Sequence, residues 1–241
     1  MSVKEKIPAG ETALTCPLCR SENVRGICHD TTRFESERDY YRCIECDLIF
    51  VPPDQLLTPV EEKVRYDQHE NDPDDPRYLA FLSQLANPML ESIPPQSTGL
   101  DFGSGPGPAM QKLFGPFGHS VRLYDPLYNR DPSVFLQTFD FIITSETMEH
   151  VSNPRRELLR CWNCLKEGGI FGMMTLRHSP AIDFQNWHYR MDDTHVCFYS
   201  DITVQYITTL LHARASFLSE RVVLLHKEFG QKNNYKRSPV R

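Results

Sequence analysis

The sequence predicts an α/β protein: an open, mostly parallel sheet with helices on both faces, behind a small metal-binding module. Three observations carry this expectation. Two Cys-x-x-Cys pairs stand near the N-terminus, a glycine-rich stretch follows a short apolar run near residue 100, and strand-like and helix-like segments alternate from there onward. A chain of 241 residues with 40% hydrophobic content has material for one substantial core and a small appended unit.

The first pair, Cys16-Pro17-Leu18-Cys19, is followed after 23 residues by Cys43-Ile44-Glu45-Cys46. Each Cys-x-x-Cys knuckle turns tightly enough to offer two sulfurs to one ion, so the four thiolates can complete a tetrahedral structural zinc site. A disulfide pair is disfavoured in a cytosolic chain, and a redox motif lacks its strand-helix unit. The stretch between the knuckles is longer than usual and reads as an elaborated hairpin. A further Cys161-Trp162-Asn163-Cys164 lies where Leu158, Leu159, Trp162 and Leu165 recur at helical spacing, so these thiols read as packing residues.

The zinc-ribbon-like module is expected over 1–60 and a connecting helical segment over 61–93. In the latter, Asn71 to Pro76 reads as a loop, and Pro76 opens a helix with Tyr78, Phe81, Leu82 and Leu85 on one face. The main domain is expected over 94–230, with a flexible basic tail over 231–241.

Within LDFGSGPGPAM, a strand Thr98–Phe102 precedes the glycine loop, and a helix with Met110, Leu113 and Phe114 follows it. A second strand, Ser120–Tyr124, ends at Asp125. This is a βαβ unit, and open α/β sheets bind ligands beyond the carboxyl ends of their strands. Gly103, Gly105 and Gly107 allow an adenosine-containing ligand to lie against bare backbone, while Asp125 can accept hydrogen bonds from both ribose hydroxyls. Either a nicotinamide dinucleotide or S-adenosylmethionine would fit that description. The dinucleotide fingerprint needs a small third residue where Pro108 stands, which weakens that choice. A buried-strand run Phe139–Thr144 comes next, then a helix opened by Asn153-Pro154 and ended by Gly168-Gly169, then a strand Ile170–Leu176.

From about Gly99 to the end the chain resembles the class I S-adenosylmethionine-dependent methyltransferases. The match lies in DFGSGPG, in YDP closing the second strand, in FDFIITSETMEHV, and in LKEGGIFGMMT. The segment with Trp187, Tyr189, Asp192, Thr194-His195 and Phe198-Tyr199-Ser200 is similar to a subgroup in which some members carry a cysteine-rich N-terminal module. The resemblance implies a Rossmann-like sheet, S-adenosylmethionine as cofactor, and a final helix with an antiparallel hairpin. It implies cofactor contacts from Asp101, Gly103, Ser104, Gly105, Gly107, Asp125, Pro126, Ser145 and Glu146. Only 14 residues separate Asp125 from Asp140, too few for the usual helix and third strand.

By the same resemblance the reaction is in-line methyl transfer. For acceptor activation the candidate bases are His150, after the fourth strand, and His195, in the loop placed to cover the acceptor, because histidine can accept a proton near neutral pH. Either ring could instead hold a loop through backbone hydrogen bonds. The net charge of −6, and of −3 over residues 1–60, disfavours a nucleic-acid partner and leaves a small-molecule or carrier-bound acceptor. A zinc-module-guided modifier of RNA or protein, and a non-catalytic binding scaffold, are the competing classes. The N-terminus lacks the apolar stretch of a secretory signal and no apolar run is long enough to cross a membrane, so a cytoplasmic location is expected.

Overall fold

A computed structural model of the chain describes residues 14–31, 37–68 and 71–230. The predicted tail at 231–241 and the first residues of the module lie outside the described residues.

The module begins with a knuckle at Cys16 and Cys19, continues into the antiparallel strands β1 (Val24–Asp30) and β2 (Arg38–Cys43), and reaches the two-residue strand β3 (Ile49–Phe50) after the second knuckle. The elaborated hairpin is thus β1–β2, with a bulge between Gly26 and Cys28. Helix α1 (Pro59–Tyr66) starts with a Thr58–Glu61 capping box, two reciprocal hydrogen bonds that satisfy orphan amides of its first turn. Helix α2 (Pro76–Ser92) has Asp75 as its cap, accepting from the Arg77 amide at 2.8 Å, and Pro76 at its first position. Leu82, Leu85, Ala86 and Met89 recur every three or four residues and are buried.

The central sheet is built from β4 (Thr98–Phe102), helix α3 (Ala109–Phe114), β5 (Ser120–Tyr124), β6 (Phe139–Ser145), helix α4 (Pro154–Cys164) and β7 (Leu165–Met174). A short strand β8 (Cys197–Phe198), helix α5 (Asp201–Leu211) and the hairpin β9 (Ala213–Phe217) and β10 (Val222–Lys227) complete the chain. The strand order is β5-β4-β6-β7-β10-β9, parallel through β7, with β10 antiparallel to both its neighbours. Between β5 and β6 lies a 3-10 turn, Pro132–Leu136, in place of a third strand and its helix.

Side-chain alternation along the strands divides the core in two. Phe141, Ile143, Ile170, Met174, Val222 and Leu224 face α2 and α3. Ile142, Phe171, Met173, Val223 and Leu225 face the other way, into a cluster that holds Leu158 and Trp162 of α4 and Val204 and Ile207 of α5. Leu18, Leu48, Ile49 and Phe50 of the module belong to that second cluster. Helix α4 ends at Cys164, short of the expected Gly168-Gly169, because Leu165 already takes an extended conformation. The Lys227 ammonium donates to the carbonyls of Trp162 and Leu165 at 2.8 and 2.7 Å, capping that helix end with a cation.

The module is continuous with the main domain. Strand β3 pairs with β8, Ile49 opposite Phe198 and Phe50 opposite Cys197, giving a second sheet of order β1-β2-β3-β8. Asp47, one residue beyond the second knuckle, accepts from Ser200 Oγ at 2.6 Å and Arg42 Nε at 2.6 Å, and its carbonyl accepts from His178 Nε2 at 3.2 Å. Arg190, fully buried, donates to Asp30 at 2.9 Å and to the carbonyls of Phe184 and Gln185. Asp30→Ala would leave that guanidinium charge buried without its anion, so we expect a loss of about 3–5 kcal/mol in urea unfolding. A loss below about 1 kcal/mol would show the pair to be dispensable.

Candidate functional site

The glycine loop is fixed from below by β5. The amides of Gly103 and Ser104 both donate to the Tyr124 carbonyl, at 2.8 and 3.2 Å. Its glycines answer to different constraints. Gly103 has φ of +80° and a Cβ there would lie 2.1 Å from the Thr147 methyl, so packing alone excludes a side chain. A Cβ on Gly107 would meet the Pro73 ring at 3.2 Å. Gly105, with φ of +62°, faces space empty of protein atoms within 4 Å.

Asp125 organises the loop. Its Oδ2 accepts from the Gly105 amide at 3.0 Å, and its Oδ1 from Leu127 and Tyr128 at 2.8 and 3.1 Å. With two donors already on Oδ1, the lone-pair capacity left lies on Oδ2, which has room for one further donor rather than two. Asp101, at the penultimate position of β4, is 3% exposed, and its Oδ1 has no hydrogen-bond partner among the described residues. Burial, with the Asp125 charge adding to it, pushes this carboxyl up to about 7.

Asp101, Gly103, Ser104, Gly105, Gly107, Asp125, Pro126, Ser145 and Glu146 all line one cleft of about 1570 Å³, and so do His150 and His195. Glu146 follows β6 with φ of +45°, held there by its amide bond to the Met174 carbonyl at 2.8 Å. Its carboxylate accepts from Tyr189 Oη at 3.1 Å and Arg221 Nη1 at 3.3 Å, while burial raises its pKa.

Glu149 and His150 sit in the 3-10 turn Met148–His150, and the loop carrying His195 is tied to that turn. The Val196 amide donates to the Glu149 carbonyl at 2.8 Å, and His150 Nδ1 donates to the Thr194 carbonyl at 3.1 Å. His195 Nδ1 donates to the Tyr189 carbonyl at 2.6 Å, and its ring packs 4.6 Å from that of His150. An imidazole that donates from Nδ1 carries its basic lone pair on Nε2. Tyr66 of α1 stacks edge-on against His150 at 5.2 Å. The module reaches this loop as well, since Arg38 donates to the carbonyls of Asp193 and His195 at 2.6 and 3.0 Å. Glu149 is fully buried, bonded to the Tyr189 hydroxyl, and burial pushes its carboxyl up to about 8, with the Glu146 charge adding to it. Trp187 and Tyr189 are both buried, Trp187 packing against Phe184 and Phe198 as a hydrophobic clasp.

Sequence reasoning missed Glu149, Tyr66 and Arg221. Glu149 stood inside a quoted motif, yet no pattern marks a buried carboxyl. Tyr66 comes from a short, largely polar helix with no buried residues, and Arg221 from a hairpin turn that only the fold brings back to β6.

At the N-terminus the four sulfurs of Cys16, Cys19, Cys43 and Cys46 lie within 4.8 Å of one another, with Cys16–Cys46 at 3.6 Å and Cys19–Cys43 at 3.3 Å. Tetrahedral ligands at a Zn–S distance of about 2.3 Å would be ~3.8 Å apart, close to this arrangement. Arg20 and Asp47, one residue beyond each knuckle, have φ of +67° and +64°, and the amides of Arg20 and Asp47 return to the carbonyls of Cys16 and Cys43. The hydrogen bond from Cys46 lowers the Cys16 thiol to about 6, while the same contact and burial raise Cys46.

No curated protein matches the chain in sequence. Among solved structures, the chain is similar to human N-acetylserotonin methyltransferase in complex with S-adenosylmethionine, with a TM-score of 0.51 and 13% identity over 71% of this chain and 60% of that one. An O-methyltransferase family protein from Burkholderia thailandensis aligns with a TM-score of 0.48 and 11% identity over 70% and 64% of the two chains. The 1,6-didemethyltoxoflavin-N1-methyltransferase of the same organism gives 0.49 and 15% over 77% and 97%. The chain thus spans less than two thirds of the length of the first two. The methyltransferase-domain profile matches residues 69–214, from the loop before α2 to the start of β9. On that match, over more than half its length, the chain belongs to the methyltransferase-domain family.

Proposed function

We propose that the protein transfers the methyl group of S-adenosylmethionine to a small-molecule or carrier-bound acceptor, with zinc held structurally by Cys16, Cys19, Cys43 and Cys46. The observation that carries this reading is one cleft lined by an unmatched buried carboxyl oxygen, a bare glycine backbone and two oriented imidazoles. The residues fit the cofactor. Asp101 offers an anion, and one lone acceptor atom, to an amino group; Oδ2 of Asp125 can take one ribose hydroxyl; Gly105 leaves room for close approach. Pro126, Ser104, Ser145 and Glu146 line the walls between these points.

The cofactor supplies an electrophilic methyl group whose leaving thioether is neutral, so the chain need provide no acid. Its own work is to align the two reactants in line and to ease proton loss from the acceptor. His150 and His195 are assigned that second task. A small acceptor is supported by the way the module is built into the core, with Cys16, Cys43 and Cys46 buried, rather than presented as a separate recognition arm. The neighbour with the highest TM-score reported above is named for a small acceptor, N-acetylserotonin.

Gly105→Ala should leave the fold nearly intact yet weaken S-adenosylhomocysteine binding at least 10-fold in calorimetry, whereas Gly103→Ala should lower thermal stability by the order of 1–3 kcal/mol. Equal binding by wild type and a folded Gly105→Ala would move the cofactor away from this loop. His195→Ala should cut turnover by roughly 10²- to 10⁴-fold while leaving S-adenosylhomocysteine affinity within about twofold. Normal turnover would return His195 to a purely structural role. Elemental analysis should find Cys43→Ser poorer than wild type by one zinc per chain, together with a lower melting temperature, since the knuckle anchors Ser200 and His178 through Asp47. An unchanged zinc content would remove the metal from these thiols.

A further inference from the structure

The residues at the acceptor end form a second donor cluster, unrelated to the cysteines. One ligand atom from each of Glu149, His150 and His195 falls within a sphere in which all lie no more than 4.8 Å apart. They come from two segments bound to each other through the Val196 amide and the Thr194 carbonyl, so the cluster does not depend on a single mobile loop. Both imidazoles donate from Nδ1 to a backbone carbonyl, the outer contact that orients metal-ligating histidines and fixes the basic lone pair on Nε2. Glu149 would supply the anion once a bound cation displaces its carboxyl proton. One of its oxygens is engaged by the Tyr189 hydroxyl, and the other, Oε2, is buried with no hydrogen-bond partner among the described residues.

A fully buried carboxylate with an unmatched oxygen is costly, and a cation is the group that matches it best. Both histidines line the same cleft as the glycine loop, so a cation here would sit at the acceptor end rather than behind it. The present spread is wider than the ~3.4 Å between ligands of a tetrahedral ion at about 2.1 Å. The half-buried His150 is the member with most room to turn inward.

We propose that Glu149, His150 and His195 bind one divalent transition-metal cation at the acceptor end of the cleft, separate from the four-cysteine site. Two imidazoles and one carboxylate suit zinc, manganese, iron or cobalt, and are too few and too nitrogen-rich for calcium. The binding stands by itself; its role rests on the methyl-transfer reading and deepens it. A cation there would lower the pKa of an acceptor hydroxyl or amine that coordinates it, so the histidines would aid acceptor activation as ligands.

The test uses the full chain with its cysteine site loaded with zinc and the weaker metal removed by brief chelation, then titrated with Co²⁺ and with Mn²⁺. We expect one equivalent to bind, with visible Co²⁺ bands that lack thiolate charge-transfer absorption. His195→Ala and His150→Ala should each weaken binding at least 10-fold, with Glu149→Gln as a third variant if it folds. No binding at millimolar metal, a thiolate signature, or unchanged affinity in both histidine variants would overturn the site. S-adenosylhomocysteine calorimetry on the same metal-depleted protein probes the methyl-transfer reading separately: failure there leaves the cation site standing, and loss of the cation leaves cofactor binding standing.

Discussion

The pairing of β3 with β8 is the constraint on which the rest of the molecule depends. Two hydrogen-bonded residues on each side make a very short ladder, yet they join the cysteine module to the segment that carries His195. Short ladders are weak alone. This one is reinforced by charges out of water, Arg190 with Asp30 and Ser200 with Asp47, and by Arg38 donating to the backbone on either side of Thr194. The same cluster of buried side chains then runs from Leu18 and Phe50 through Phe198 to Met173, so the segment over the cleft is braced from behind by the module.

The cleft itself is dominated by carboxyl groups deprived of water. Asp101 is buried in its wall and Glu149 behind the turn that carries His150, with the charges of Asp125 and Glu146 respectively raising the cost of ionising them. Arg221 offsets part of this charge at Glu146. The aromatic rings of Tyr66, Tyr78 and Phe81 along the wall exclude water and sharpen these interactions.

Much of the fold was legible because its signals are local. Strands Thr98–Phe102 and Ser120–Tyr124 are bounded by glycine turns, and Pro76 and Asn153-Pro154 mark helix starts. The end of α4 was misjudged because its cap is Lys227, remote in sequence, and not the glycine pair. The glycine loop was legible as a loop, but Gly103 and Gly107 answer to Thr147 and Pro73, partners that only tertiary structure supplies. Glu149 was invisible for a like reason: its burial and its tie to Tyr189 are properties of the assembled cleft. The β3–β8 contact left no trace at all, since two residues make no period.

That contact also governs the order in which the chain can be completed during synthesis. The module is translated first, but its fourth strand is residues 197–198, made only after the whole central sheet has been laid down. Until then the edge of β3 is uncovered, and Leu48, Ile49 and Phe50 lack the Phe198 and Tyr199 side of their cluster. Each pair of sulfurs is gathered by a local turn, at Arg20 or at Asp47, and the β1–β2 hairpin brings the two pairs together without anything further downstream. The nascent chain therefore holds a locally closed thiol cluster beside an open strand edge, a state prone to pairing with other chains, and it is His195's own loop that ends the exposure.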